Sequence, residues 1–132
     1  WRTMLGFTDT PVFSPHDAGR KTAELALQYD FAFFEYWASD YAGHKQDMTA
    51  ACSLLASFDG MLGGLLDAWD DAEGLILLTS DHGNIEDLST RRHTDAKVPG
   101  LVIGSKAARA KFVDGLTDLT GIAPAIRKAI LE

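Results

Sequence analysis

Residues 74–83 read GLILLTSDHG: a glycine, the run Leu75 to Thr79, then Ser80, Asp81, His82 and Gly83. A short apolar run bounded by turn-forming residues is the pattern of a strand covered on both faces of a sheet. Residues 31–40 read FAFFEYWASD and repeat it, since Phe31 to Ala38 is apolar on both alternating faces apart from Glu35 and also closes on Ser and Asp. Between the two runs Met48, Ala51, Cys52, Leu55, Phe58, Leu62, Leu65, Leu66 and Trp69 recur at three- and four-residue steps, the spacing of one helical face. Gly60, Gly63 and Gly64 fall inside that helix and imply a kink or a close neighbour. Strand, crossover helix and strand form a βαβ unit whose strands run parallel and whose C-terminal ends share one sheet edge. The expected fold class is therefore α/β, with a βαβ-containing, mostly parallel or mixed sheet flanked by helices.

Further out, Ser14, Pro15 and Asp17 make a helix-start signature: a hydroxyl cap, proline at the first helical position and an acid near the positive end of the dipole. A helix follows to about Gln28, while residues 1–13 sustain no period. His82 to Lys97 is polar and aperiodic, a loop long enough to suspect of function. A third strand is expected at Leu101 to Ile103, after Pro99 and Gly100. Residues 107–131 read as one or two helices broken near Gly121 and Pro124. At 132 residues, without repeats or linkers, the chain is expected to be a single domain over 1–132.

Twelve Lys and Arg face nineteen Asp and Glu, a formal charge of −7 without any basic cluster, which argues against a nucleic-acid partner. The longest apolar run, Phe31 to Ala38, is interrupted by Glu35 and far short of the roughly 20 residues a membrane span requires, so no membrane partner is expected. One cysteine, Cys52, cannot form an internal disulfide and fits a reducing, cytoplasmic setting. Placed on the apolar helix face, it is expected to be a buried, inert thiol. A chain that opens on Trp1 is expected to be a piece of something longer.

The parallel geometry puts Asp40 and Asp81 at one sheet edge, where open α/β sheets bind their ligands. His44 follows Asp40 by four residues, with Gly43 between to let the backbone turn. His82 follows Asp81 directly, and the loop adds His93. Two carboxylates and three imidazoles suit borderline divalent ions such as Zn²⁺ or Mn²⁺. Two dications would exceed the charge of two aspartates and leave a positive excess for an oxyanion such as a phosphoryl group.

The stretches SDYAGHKQD, TSDHGNIED and RRHTDAKVPGLVIG, in that order over Ser39 to Gly104, resemble the metal-binding segments of the alkaline phosphatase superfamily. The resemblance is greatest to its metalloenzyme branch, which includes cofactor-independent phosphoglycerate mutase and phosphopentomutase. LTDLTGIAPAI near the end is similar to the terminal helix region of the same proteins. The resemblance implies a partial alkaline-phosphatase-like core and two divalent metal ions. Asp40, His44 and His93 would share one ion, and Asp81 and His82 would bind the other. It also implies a phosphorylated small-molecule substrate. In that family a further aspartate and a Ser or Thr nucleophile lie upstream, and nothing here resembles that segment. The expected partner is accordingly a missing N-terminal segment of the same protein, this chain being the C-terminal metal-binding part of a phosphotransferase or phosphohydrolase, inactive by itself.

Plainer readings compete. Asp81 to Gly83 taken alone is an ordinary strand-ending turn, and a loop histidine beside Arg91 and Arg92 is ordinarily inert. His16 reads as helix-start decoration, Ser14 as a cap and Phe31 to Trp37 as core. Thr8 and Thr10 have no nucleophile context, and Asn84 and Glu86 read as support behind the metal pair. A non-catalytic metal-binding or interaction domain, and a sulfatase or phosphodiesterase relative, are the alternative functions.

Overall fold

A computed structural model of the chain describes residues 2–72 and 74–131. In order they form α1 (Pro15–Ala26), α2 (Ala38–Lys45), α3 (Met48–Asp67), β1 (Ile76–Thr79), β2 (Gly100–Ile103), α4 (Lys106–Val113), a short 3₁₀ turn (Leu119–Gly121) and α5 (Ile122–Leu131). The architecture is mixed α/β.

The helices start where the sequence has caps. Ser14 Oγ accepts the Asp17 N–H and Pro15 opens α1, as the signature predicts. Asp47 caps α3 through the Ala50 N–H, and Ser105 caps α4 through that of Ala108. Pro124 does not break the last helix; it sits in the first turn of α5, where a missing N–H costs no intrahelical bond.

α1 lies across α3, and this contact is the main packing of the molecule. Ala23 and Ala51 are buried in it. A Cβ on Gly64 would come within 2.7 Å of the His16 carbonyl carbon, and one on Gly19 within 2.6 Å of the Leu65 nitrogen. Of the glycines inside α3, Gly64 thus marks a close approach, as expected, while a Cβ on Gly63 would meet nothing within 4 Å, and His16 Nε2 meets Asp67 Oδ2 at 2.9 Å beside the contact. α3 is 20 residues long, with a mean hydropathy of 1.4 over its most apolar 18 residues, and by length and composition alone it could cross a bilayer, as the core helix of a soluble protein also could.

The sheet also departs from expectation. β1 and β2 are antiparallel, in register from Ile76 opposite Ile103 to Thr79 opposite Gly100, and they are the only strands of the sheet among the described residues. No strand forms at Phe31 to Ala38: residues 31–36 have no ladder partner, and the chain enters α2 at Ala38. An apolar run becomes a strand only where another strand supplies hydrogen bonds, and the described residues offer none here. The expected βαβ unit is therefore not formed among the described residues, and Asp40 stands in the first turn of a helix instead of at a strand end.

The expected core of this segment is exposed, with Phe33 at 79% of its accessible surface. Cys52 is exposed as well, because nothing among the described residues covers its side of α3. Among the described residues, the buried apolar ones are limited to Ala23, Ala42, Ala51 and Phe112. The accessible surface is 9545 Å², against about 6,800 Å² for a compact monomer of this mass.

Candidate metal centre

α2 presents Asp40 and His44 one turn apart on the same face. His44 Nε2 lies 3.3 Å from Asp40 Oδ2. On the other side of the carboxylate, His93 Nε2 lies 3.3 Å from Oδ1. His93 belongs to the long loop between β1 and β2, whose two legs are joined by a bridge in which the Thr94 N–H donates to the Gly83 carbonyl at 2.8 Å. Gly83 is needed there, since a Cβ would stand 2.7 Å from the Thr94 carbonyl oxygen and 2.9 Å from that of Ala96. This bridge brings His82 beside His93, and their rings stack with centroids 3.6 Å apart. Farther along, the Ser89 hydroxyl and N–H hold the exposed Asp87 carboxyl below its usual range and shape the turn.

The structure thus brings donor atoms of three of the five expected residues together. Donor atoms of Asp40, His44 and His93 all lie within 4.8 Å of one another. His82 joins by ring stacking, and Asp81, mostly exposed, reaches only His82, at 3.4 Å. His44 Nε2 and His93 Nε2 each stand 3.3 Å from a different oxygen of the Asp40 carboxylate, so a cation could take one donor atom from each of the three side chains. His44 Nδ1 lies 2.6 Å from the Arg91 carbonyl oxygen, which can only accept, so Nδ1 carries a proton and Nε2 is the ring nitrogen turned to Asp40. The donor set fits a divalent metal.

The profile of the metalloenzyme superfamily matches residues 7–131. The chain belongs to that superfamily. Among its relatives are proteins named 2,3-bisphosphoglycerate-independent phosphoglycerate mutase. The one from Moorella thermoacetica is 25% identical over 91% of this chain and 24% of its own length. Those from Pseudomonas fluorescens and Yersinia pestis (strain Pestoides F) are 29% and 32% identical, over 78% and 70% of this chain and 21% and 19% of their own. The chain spans about a quarter or less of the length of these mutases. No solved structure gives a significant match.

For a member of the metalloenzyme superfamily, the sequence reading missed three supports of the cluster. Arg91 acts through its carbonyl, which no side-chain pattern announces. Its Nε donates to Gln46 Oε1 at 3.1 Å, while Gln46 Nε2 donates to the Leu88 carbonyl. Gln46 ends α2 with φ of +57°, a left-handed helix end that neither glycine nor asparagine announces in the sequence. Gly43, expected to let the backbone turn, is instead a regular helical residue kept small for Asn84.

Proposed function

We propose that this chain is the metal-holding part of a two-metal phosphotransferase or phosphohydrolase, of the phosphomutase kind to which its named relatives belong. The observation that carries this is the Asp40, His44 and His93 cluster with His44 Nε2 turned inward. Asp40, His44 and His93 would hold one divalent ion, Mn²⁺ or Zn²⁺, and Asp81 and His82 would give the second only two ligands. The bound ions would polarise phosphoryl oxygens of a phosphorylated small molecule and lower the pKa of an attacking group.

Within the chain, the Arg91 carbonyl keeps the His44 proton on Nδ1, and the stacked rings of His82 and His93 fix each other's planes. The hydroxyls next to these ligands in sequence are engaged elsewhere: Ser39 Oγ donates to the Tyr36 carbonyl, Ser80 Oγ donates to the His82 carbonyl, and Thr94 Oγ1 accepts from the Ala96 N–H. That supports a nucleophile supplied by residues beyond these 132, in a segment of the same protein which would also cover the exposed aromatic stretch 31–37. The acidic charge and lone Cys52 support a cytoplasmic setting without nucleic acid or membrane.

Titrating the chain with Mn²⁺ or Zn²⁺ by calorimetry should show about one site, lost on His44→Ala and on His93→Ala. Two tight sites of equal affinity, or a site indifferent to His44, would overturn the assignment.

A further inference from the structure

Asn84 is the buried polar side chain of the described residues, 4% exposed, and it sits behind the cluster without being one of its donors. Its Nδ2 donates to Asp40 Oδ1 and, at 3.3 Å, to the Asp40 carbonyl oxygen. Its own backbone N–H donates to Glu86 Oε2 at 2.9 Å, and its carbonyl accepts from the Asp87 N–H. The amide is therefore anchored in the loop and grips α2.

On the helix side, Gly43 lies one turn beyond Asp40. A Cβ there would come within 2.5 Å of Asn84 Cγ, and nearer still to Oδ1. Asn84 Oδ1 has no hydrogen-bond partner among the described residues and rests against the Gly43 α-carbon. A buried amide oxygen without a conventional donor is destabilising, and a Cα–H contact offsets only part of that. The arrangement gives up that stability to bring Nδ2 onto the carboxylate.

We infer that Asn84 is a positioning residue for the cation site, and that Gly43 is the space it requires. This rests on the metal-holding reading above. The amide fixes the carboxylate plane of Asp40, so that Oδ1 stays toward His93 and Oδ2 toward His44, each 3.3 Å from its imidazole nitrogen. Released from Asn84, the carboxylate would turn about its χ2 axis and lose one of those alignments, since that torsion is broad and weakly held.

The test uses Co²⁺ with the 132-residue chain, following affinity by calorimetry, coordination by visible absorption and fold by far-ultraviolet circular dichroism. Asn84→Ala should weaken Co²⁺ binding 10- to 100-fold, the usual effect of removing an outer partner, and change the visible spectrum. Gly43→Ala should do the same without touching any polar group. The double variant should be no weaker than the worse single one, because both changes remove one interaction. Asn84→Ala with affinity and spectrum unchanged, or additive losses, would overturn the proposal.

Magnetic resonance of the metal-free chain separates this inference from the reading it rests on. The Asn84 side-chain amide should show slowly exchanging protons that become fast in Asp40→Ala. If Co²⁺ does not bind and this signature is present, the metal assignment falls while the Asn84 to Asp40 contact stands. Fast exchange in the unchanged chain overturns the positioning role outright.

Discussion

Replacing Gly64 by Ala should destabilise the chain, while the same change one residue earlier should stabilise it. Both glycines lie inside α3, where Ala is preferred to Gly by about 1 kcal/mol. At Gly63 a Cβ meets nothing within 4 Å, so the whole preference is expected as a gain. At Gly64 it would stand 2.7 Å from the His16 carbonyl carbon and 2.9 Å from the His16 Cα, where ordinary contact begins at 3.4 Å. Backbone cannot rotate out of the way as a side chain can, so α1 must retreat by about 0.7 Å or more and loosen the packing of Ala23. Overpacking costs about 1–3 kcal/mol, and a clash with fixed backbone falls at the upper end, about 2–3 kcal/mol, leaving Gly64→Ala about 1–2 kcal/mol less stable after the helix gain. The two variants should differ by about 2–3 kcal/mol, or about 10 °C in Tm for a chain of this length. Thermal and urea unfolding followed at 222 nm would measure it. A Gly64→Ala chain as stable as Gly63→Ala would refute the close helix contact.

Phe112→Ala should cost about 3–5 kcal/mol, because Phe112 is nearly buried, whereas Phe33→Ala should stay within about 0.5 kcal/mol; urea midpoints separate the two. The Thr120 hydroxyl and N–H hold the Asp118 carboxyl below 3.8, so its capping contribution is complete above that pH and is lost as pH falls through the lowered value. The stability difference between the chain and Asp118→Asn should accordingly shrink on acidification below pH 4, and a difference that grows would reverse the assignment. With metal supplied, the chain should show no enzymatic turnover of an aryl phosphate; robust turnover that disappears on Ser14→Ala would place the nucleophile at the start of α1.

Local signals in the sequence were read well, and signals that need a distant partner were not. Ser14, Pro15 and Asp17 specify a helix start through contacts within four residues, and α1 begins there. Phe31 to Ala38 is apolar enough for a buried strand, but a strand is a property of two segments, and its partner is not among the described residues. Asp40 and His44 came together for a different reason from the one expected: four-residue spacing on α2 aligned them, not a shared sheet edge. His93 reached them through the Gly83 to Thr94 bridge, a backbone contact that side-chain identities do not encode. Asn84 could be read as support, but its grip on Asp40 depends on the space left by Gly43, visible only when both elements are in place.

The separation of Asp40 from His93 along the chain gives the cluster a second physical role. An ion held by both ends is a reversible cross-link closing a loop of roughly fifty residues, which removes many conformations from the unfolded ensemble. By the relation used for disulfides, that closure corresponds to about 4 kcal/mol. In a chain with so few buried side chains, such a tether would rival the core as a source of stability. Chelation would then act as a denaturant, lowering the unfolding temperature even where no catalysis is at stake.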